Sequence, residues 1–118
     1  MEKVIEIGGI KCRMKCSAAV PRLYRDAFGE DILISFEELG AYAREKGFGA
    51  SLRPQDIRAL ENLAYIMHKY GDPTQPDSIE EWLGQFPANA VYKANADVLE
   101  LWNENNTTTS IAKKNEEK

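Results

Sequence analysis

The sequence predicts a mainly α-helical domain of the α+β class, with an N-terminal antiparallel β-hairpin and about five helices. Residues 2–16 alternate between apolar and charged side chains around the pair Gly8-Gly9, which is typical of a hairpin. Beyond the hairpin, apolar residues recur at helical spacing. In the segment 54–70 they cover about half of the helix circumference. We therefore expect a central helix at 54–70 that its neighbours wrap on more than one side.

Composition limits the class of protein. The chain has 118 residues, 29% of them charged, and a formal net charge of −4, which suits one globular domain. The acidic balance argues against a nucleic-acid partner, because neutralising phosphates requires a basic surface. No run of about 18 apolar residues is present, so we expect no contact with a membrane. Residues 1–4 lack the pattern of a signal peptide, so we expect the protein to stay in the cytoplasm.

The glycine pair also predicts the register of the hairpin. A two-residue type I′ turn needs positive φ at both central positions, which glycine adopts without strain. Glu6 then faces Lys11, and Glu2 faces Lys15, as complementary pairs on one side. The apolar residues of the hairpin fall on the other side: Ile5, Ile7, Ile10, Cys12 and Met14.

Two helices are predicted between the hairpin and the central helix, at about residues 18–28 and 36–46. Gly29 is expected to end the first of them. Ser35 is expected to cap the second, because Glu38 stands three residues later at the capping-box position. The three residues before Ser35 then form an apolar connector.

The C-terminal part of the globular domain, which is expected to span residues 1–104, contains two further predicted helices. Asp77 or Ser78 caps a short helix at about residues 78–86, and a last helix follows at about 89–104. Residues 105–118 are mostly Asn, Thr, Lys and Glu, a composition that buries too little to order itself. We predict that they form a disordered polar tail.

The sequence predicts no catalytic residue, cofactor or metal site. His68 is the only histidine and lies at the border of the central apolar stripe, where a structural role is favoured. Cys12 and Cys16 supply two thiols, whereas a structural zinc site normally needs four ligands. In an extended strand their Cα atoms would be roughly 13 Å apart, too far for a disulfide. Buried free thiols and a non-enzymatic protein are the prediction.

A protein-binding surface is predicted in the C-terminal third, where large aromatic side chains are concentrated. Tyr92 and Leu99 lie off the main apolar stripe of the last helix and are the better candidates for a contact surface. Trp82 and Phe86 of the short helix are further candidates. An exposed hairpin edge would also permit self-association.

Four stretches together carry a family resemblance: IEIGG at 5–9, LYRDAFG at 23–29, SIEEWL at 78–83 and VLELWN at 98–103. In this order they resemble the tail assembly chaperones of long-tailed bacteriophages and of prophages in Gram-positive hosts. The resemblance covers residues 3–103. The cysteine-containing basic second strand and the early proline of the first helix depart from the family pattern.

The resemblance implies a non-enzymatic protein that binds the tape measure protein, keeps it soluble and helps to recruit tail tube protein around it. It also implies action in the bacterial host cytoplasm and absence from the mature virion. The alternatives are a small helical interaction or regulatory module, such as an antitoxin-like partner, and a DNA-binding regulator, which the acidic balance disfavours.

Overall fold

An N-terminal hairpin and five helices make up the fold that the computed structural model gives for residues 1–47, 49 and 51–116. Side chains are described as far as residue 106. The predicted α+β class, a mainly helical chain with an N-terminal hairpin, is confirmed. The helices are α1 (Ala19–Phe28), α2 (Ile32–Lys46), α3 (Pro54–Gly71), α4 (Ile79–Leu83) and α5 (Ala90–Glu116).

The hairpin has the predicted register. Strand β1 (Glu2–Ile7) pairs antiparallel with β2 (Ile10–Lys15). Gly8 and Gly9 have φ values of 56° and 83°, as a type I′ turn requires. The facing pairs run from Ile7 opposite Ile10 at the turn to Glu2 opposite Lys15 at the open end, and they confirm the expected pairing.

One face of the hairpin covers two helices. Strand β1 contacts α5, and β2 contacts α3. Lys3 also forms ion pairs of 3.6 and 3.7 Å with Glu100 and Glu104 of α5. Ile10 belongs to the predicted apolar face but is 43% exposed at the turn. The other four members of that face are buried: Ile5, Ile7, Cys12 and Met14.

Helix α1 has the predicted end. Gly29 follows it with φ of 68°, so a left-handed residue stops the helix as expected. At the start, the Ser17 hydroxyl accepts a hydrogen bond of 3.1 Å from the backbone N–H of Ala19. Pro21 falls within the first turn, where backbone N–H groups have no partner inside the helix, so the proline removes no helical hydrogen bond.

Helix α2 begins earlier than the sequence predicted. Asp31 is the N-cap, and its carboxylate accepts a 2.9 Å hydrogen bond from the N–H of Leu33. The Ser35 hydroxyl instead donates to the carbonyl oxygen of Asp31, at 3.2 Å. The predicted cap at Ser35 and the predicted connector before it are therefore wrong. Both aspartate and serine cap helices well, and Asp31, which comes first in the chain, is the residue that caps α2.

Helix α3 is the central helix, as predicted, and it contacts β2, α1, α2, α4 and α5. Pro54 occupies its first position, where the missing N–H costs nothing. Before it, the backbone N–H and the guanidinium of Arg53 donate to the Asp56 carboxylate at 3.1 and 2.8 Å. These bonds lower the pKa of Asp56. The middle of the helix is buried nearly all round, from Ala59 to His68 with the exception of Glu61.

Gly71 does not end α3 in the expected way. A glycine at the end of a helix often stops it in a left-handed conformation, but Gly71 is the last helical residue and Asp72 is the C-cap, with φ of −143°. The glycine is needed because strand β2 passes directly over it. A Cβ atom on Gly71 would collide with the carbonyl group of Arg13 and lie 3.2 Å from the backbone nitrogen of Lys15.

The last two helices differ from the prediction in length. Helix α4 is capped by Ser78, whose hydroxyl accepts a 3.2 Å bond from the N–H of Glu81, but it ends at Leu83 rather than at residue 86. Helix α5 continues past the predicted end at residue 104 to Glu116, since extending an existing helix needs no new nucleus. The predicted disordered tail, 105–118, falls largely beyond the described side chains, and residues 117–118 lie outside the described chain.

Candidate functional site

An open groove of about 710 Å³ lies between α1, α3 and the segment that leads into α4. Helix α3 contacts both neighbours and forms the floor. Helix α1 forms one wall, and residues 73–80 form the other. The apolar lining is contributed by Leu23, Ala27 and Phe28 from α1, by Tyr65, Ile66 and Tyr70 from α3, and by Pro73 and Ile79 from the second wall.

The groove presents apolar surface to solvent. Leu23 is 37% exposed on its wall, and Phe28, Tyr70 and Ile79 are only partly buried against the core. The Phe28 ring packs edge-on against Tyr65, with centroids 6.4 Å apart. A concave apolar surface of this kind can accept the apolar face of a helix from another protein.

Side chains of α3 hold the second wall in place. The Tyr65 hydroxyl donates a 2.6 Å hydrogen bond to the carbonyl oxygen of Pro76. The Lys69 ammonium donates to the carbonyl of Pro73 at 3.1 Å and to the Asp77 carboxylate at 2.9 Å. Burial raises the pKa of Tyr65, so its hydroxyl remains a donor at neutral pH. The wall is thereby fixed before any partner binds.

Asp72 stabilises the turn at the start of this wall. Its carboxylate accepts hydrogen bonds from the backbone N–H and hydroxyl of Thr74, at 3.1 and 2.6 Å, and from the side-chain amide of Gln75 at 3.0 Å. The bonds from Thr74 and Gln75 lower the pKa of Asp72 to about 2. The turn therefore keeps its negatively charged acceptor throughout the physiological pH range.

A buried hydrogen bond fastens α4 to α3. The Trp82 indole N–H donates to Nδ1 of His68 at 2.9 Å, and both side chains are at most 3% exposed. Burial lowers the pKa of His68. The imidazole is therefore neutral at pH 7, with Nδ1 as acceptor and its proton on Nε2. His68 thus has the structural role that the sequence favoured.

The structure disperses the four predicted contact residues. Trp82 lies in the core rather than on a contact surface, and Phe86 is half-buried with its ring 5.0 Å from that of Trp82. Leu99 is half-buried against the core, whereas Tyr92 is 55% exposed on α5. The lining of the groove includes none of these four residues.

Sequence reasoning missed the residues that line the groove. Leu23 and Ile79 lie at helical spacing among the apolar residues of α1 and α4, and such spacing does not distinguish the wall of a groove from a core position. The relevant signal was the width of the α3 stripe, which exceeds what a single packing contact uses. The packing arrangement of α1, α3 and α4 determines which edges of the α3 apolar stripe stay exposed. The spacing of apolar residues in the sequence does not specify this arrangement.

The two cysteines lie in the hydrophobic core, away from the groove. Cys12 and Cys16 are free and buried, and burial raises the pKa of both thiols, so they stay protonated at neutral pH. Among the described residues, no group of three or more His, Cys, Asp or Glu side chains could hold a metal ion. Nor does any helix in this part of the chain combine the length and apolar character needed to cross a membrane.

Comparison with known proteins gives no independent indication of function. No protein-family model matches the chain, and no curated protein or solved structure matches it significantly. The function must therefore be argued from the groove together with the motifs in the sequence.

Proposed function

We propose that this protein is a phage tail assembly chaperone that binds helical segments of the tape measure protein in the groove between α1, α3 and α4. It acts without catalysis in the cytoplasm of the bacterial host, keeps the tape measure protein soluble, helps to recruit tail tube protein and leaves before the virion is complete. The observation that carries the proposal is the open apolar groove. Amphipathic helices bind proteins by placing their apolar face in such grooves.

The hydrogen bonds that hold the second wall of the groove support this role. The hydrogen bonds from Tyr65 and Lys69 hold the wall around Pro76 and Asp77, and the bond between Trp82 and His68 anchors α4 behind it. A preformed groove binds a helix without the entropy cost of ordering its own walls. Modest binding at each site would suffice, because one long client chain offers many helical segments to many copies.

The sequence motifs support the same role. The IEIGG stretch forms the hairpin turn, LYRDAFG forms the second half of α1 with its glycine stop, and SIEEWL forms the cap and body of α4. Two of these stretches supply walls of the groove. The resemblance to tail assembly chaperones and the candidate site therefore share two of the four stretches, 23–29 and 78–83.

Co-expression with the tape measure protein of the same phage or prophage tests the proposal. We expect the soluble fraction of the tape measure protein to rise with the wild-type protein. Leu23→Glu and Ala27→Glu, which place a charge on the exposed α1 wall, should abolish the rise because each would put a carboxylate against the apolar face of the client. Soluble protein is quantified after centrifugation, and circular dichroism verifies that the variants are folded.

Tyr92→Glu is the matched control, because Tyr92 is exposed as well, at 55% against 37% for Leu23, but lies outside the groove. It should protect the tape measure protein as well as the wild type does. Loss of protection in this variant alone would indicate that the client contacts α5 instead of the groove. Equal aggregation of the tape measure protein with and without the wild-type protein would refute the chaperone role. Gene order provides an independent test: a tape measure gene directly downstream supports the proposal, and a toxin gene there would contradict it.

A further inference from the structure

The charged residues of the groove are arranged on both of its walls. Asp26 stands on the α1 wall, and Asp77 and Glu80 stand on the opposite wall. All three side chains are exposed. Asp26 has one loose ion pair, 3.9 Å from Arg22, and exposed pairs of this kind contribute little. The apolar floor is thus bordered by carboxylates on either side.

Lys69, the cation among the described residues that line the groove, is already engaged. Lys69 donates to the carbonyl groups of Pro73 and Gln75 and to the Asp77 carboxylate. Its charge is largely offset by Asp77, at 2.9 Å. Within the described part of the chain, the lining therefore offers the carboxylates of Asp26 and Glu80 to a partner and no uncommitted positive charge.

We propose that the groove selects amphipathic helices whose apolar stripe is bordered on both sides by lysine or arginine. This inference rests on the proposed function and specifies the chemistry of the client segment. A helix lying on Tyr65, Ile66 and Tyr70 places the two borders of its apolar stripe near opposite walls. Long basic side chains can pack their aliphatic stems on the apolar lining while their charged ends reach Asp26 on one wall and Glu80 on the other.

The preference should be moderate and sensitive to salt. Exposed ion pairs are weak individually, so Asp26 and Glu80 together should favour a lysine-bordered helix over a glutamine-bordered one by about three- to tenfold in affinity at low ionic strength. Because the pairs are exposed, added salt should screen them. The apolar contribution to binding should persist in high salt.

Three synthetic peptides test the inference on the purified full-length chain. They share apolar residues at i, i+3, i+4, i+7 and i+11 and carry lysine, glutamine or glutamate at the border positions. We expect affinity, measured by fluorescence anisotropy, to decrease from lysine to glutamine to glutamate. The lysine peptide should lose most of its advantage at about 0.5 M salt.

Variants of the two walls locate the effect. Asp26→Asn combined with Glu80→Gln should remove most of the advantage of the lysine peptide and leave the affinity for the glutamine peptide unchanged. Asp97→Asn, an exposed site on α5 that does not line the groove, should leave the order of affinities intact.

Equal affinity for all three peptides, a preference for glutamate, or no binding of any peptide would each overturn the inference. If the wild-type protein still solubilises the tape measure protein in those cases, the chaperone role stands and the client is recognised by other chemistry. If the peptides bind as expected but the tape measure protein is not protected, the groove has the stated preference and the proposed function fails.

Discussion

At the residue scale, the hydrogen bond from Trp82 to His68 ties the position of α4 to the protonation state of one imidazole. Burial lowers the pKa of His68 below its ordinary value of 6.5, and this effect exceeds the opposing influence of Asp72. The unfolded chain therefore takes up a proton at higher pH than the folded chain. The stability contributed by the neutral imidazole is complete above pH 6.5 and is lost as the pH falls below that value.

Equilibrium urea unfolding can measure this dependence. Between about pH 7.5 and 5.5 the free energy of unfolding should fall with a slope of at most about 1.4 kcal/mol per pH unit. In His68→Gln, whose side-chain oxygen can still accept a hydrogen bond but does not titrate, the slope over this range should be much smaller. Identical slopes in the two proteins would show that His68 is not the cause of the pH dependence of the free energy of unfolding.

Asn95 provides a second prediction at this scale. Its side chain is 7% exposed on α5, and neither its oxygen nor its nitrogen has a hydrogen-bond partner among the described residues. A buried, unpaired amide is destabilising by about 1–3 kcal/mol. Asn95→Leu should therefore raise the free energy of unfolding by about 1 kcal/mol, as measured by urea denaturation. A lower stability of the variant would mean that the amide contributes to the fold.

At the scale of elements, the contact between α3 and β2 depends on the missing side chain of Gly71. Gly71→Ala would press a methyl group into the backbone of Arg13, and overpacking of this kind costs about 1–3 kcal/mol. We expect a loss of that size in urea unfolding.

Gly40→Ala is the matched control for Gly71→Ala. Gly40 lies inside α2, and a Cβ there would have one neighbour, the flexible end of Arg44 at 3.4 Å. This variant should be more stable than the wild type by about 0.5–1 kcal/mol, because alanine favours the helix. If both variants behave alike, the helical conformation rather than the contact with β2 governs the effect at Gly71.

The elements show where sequence reasoning succeeds and where it fails. The hairpin register could be predicted to the residue because a two-residue glycine turn leaves one pairing. The start of α2 could not, because Asp31 and Ser35 both satisfy the local requirements of a cap. Gly71 followed a helix as stop glycines do, yet its function depends on a strand distant in sequence. Sequence rules recognise a glycine at the end of a helix, but they do not show which distant strand packs against it.

At the scale of the whole molecule, the candidate site exists only where three elements converge. The sequence identified the apolar stripes of α1, α3 and α4 but placed the contact surface on Trp82, Phe86, Tyr92 and Leu99. Trp82 instead lies in the core, because its indole finds an acceptor in His68. The groove lies where parts of these apolar stripes remain exposed. Its location therefore follows from the angles and lengths of the helices rather than from any one motif.

The position of the hairpin has a consequence for the newly made chain. The apolar faces of β1 and β2 leave the ribosome before the helices on which they pack, which are α3 for β2 and α5 for β1. At a synthesis rate of about 5–20 residues per second, several seconds pass between the synthesis of β1 and that of α5. An isolated hairpin is marginally stable in water, so Ile5, Ile7 and Met14 remain uncovered for this interval. During its own synthesis the protein thus passes through a stage at which its apolar surface is open to aggregation.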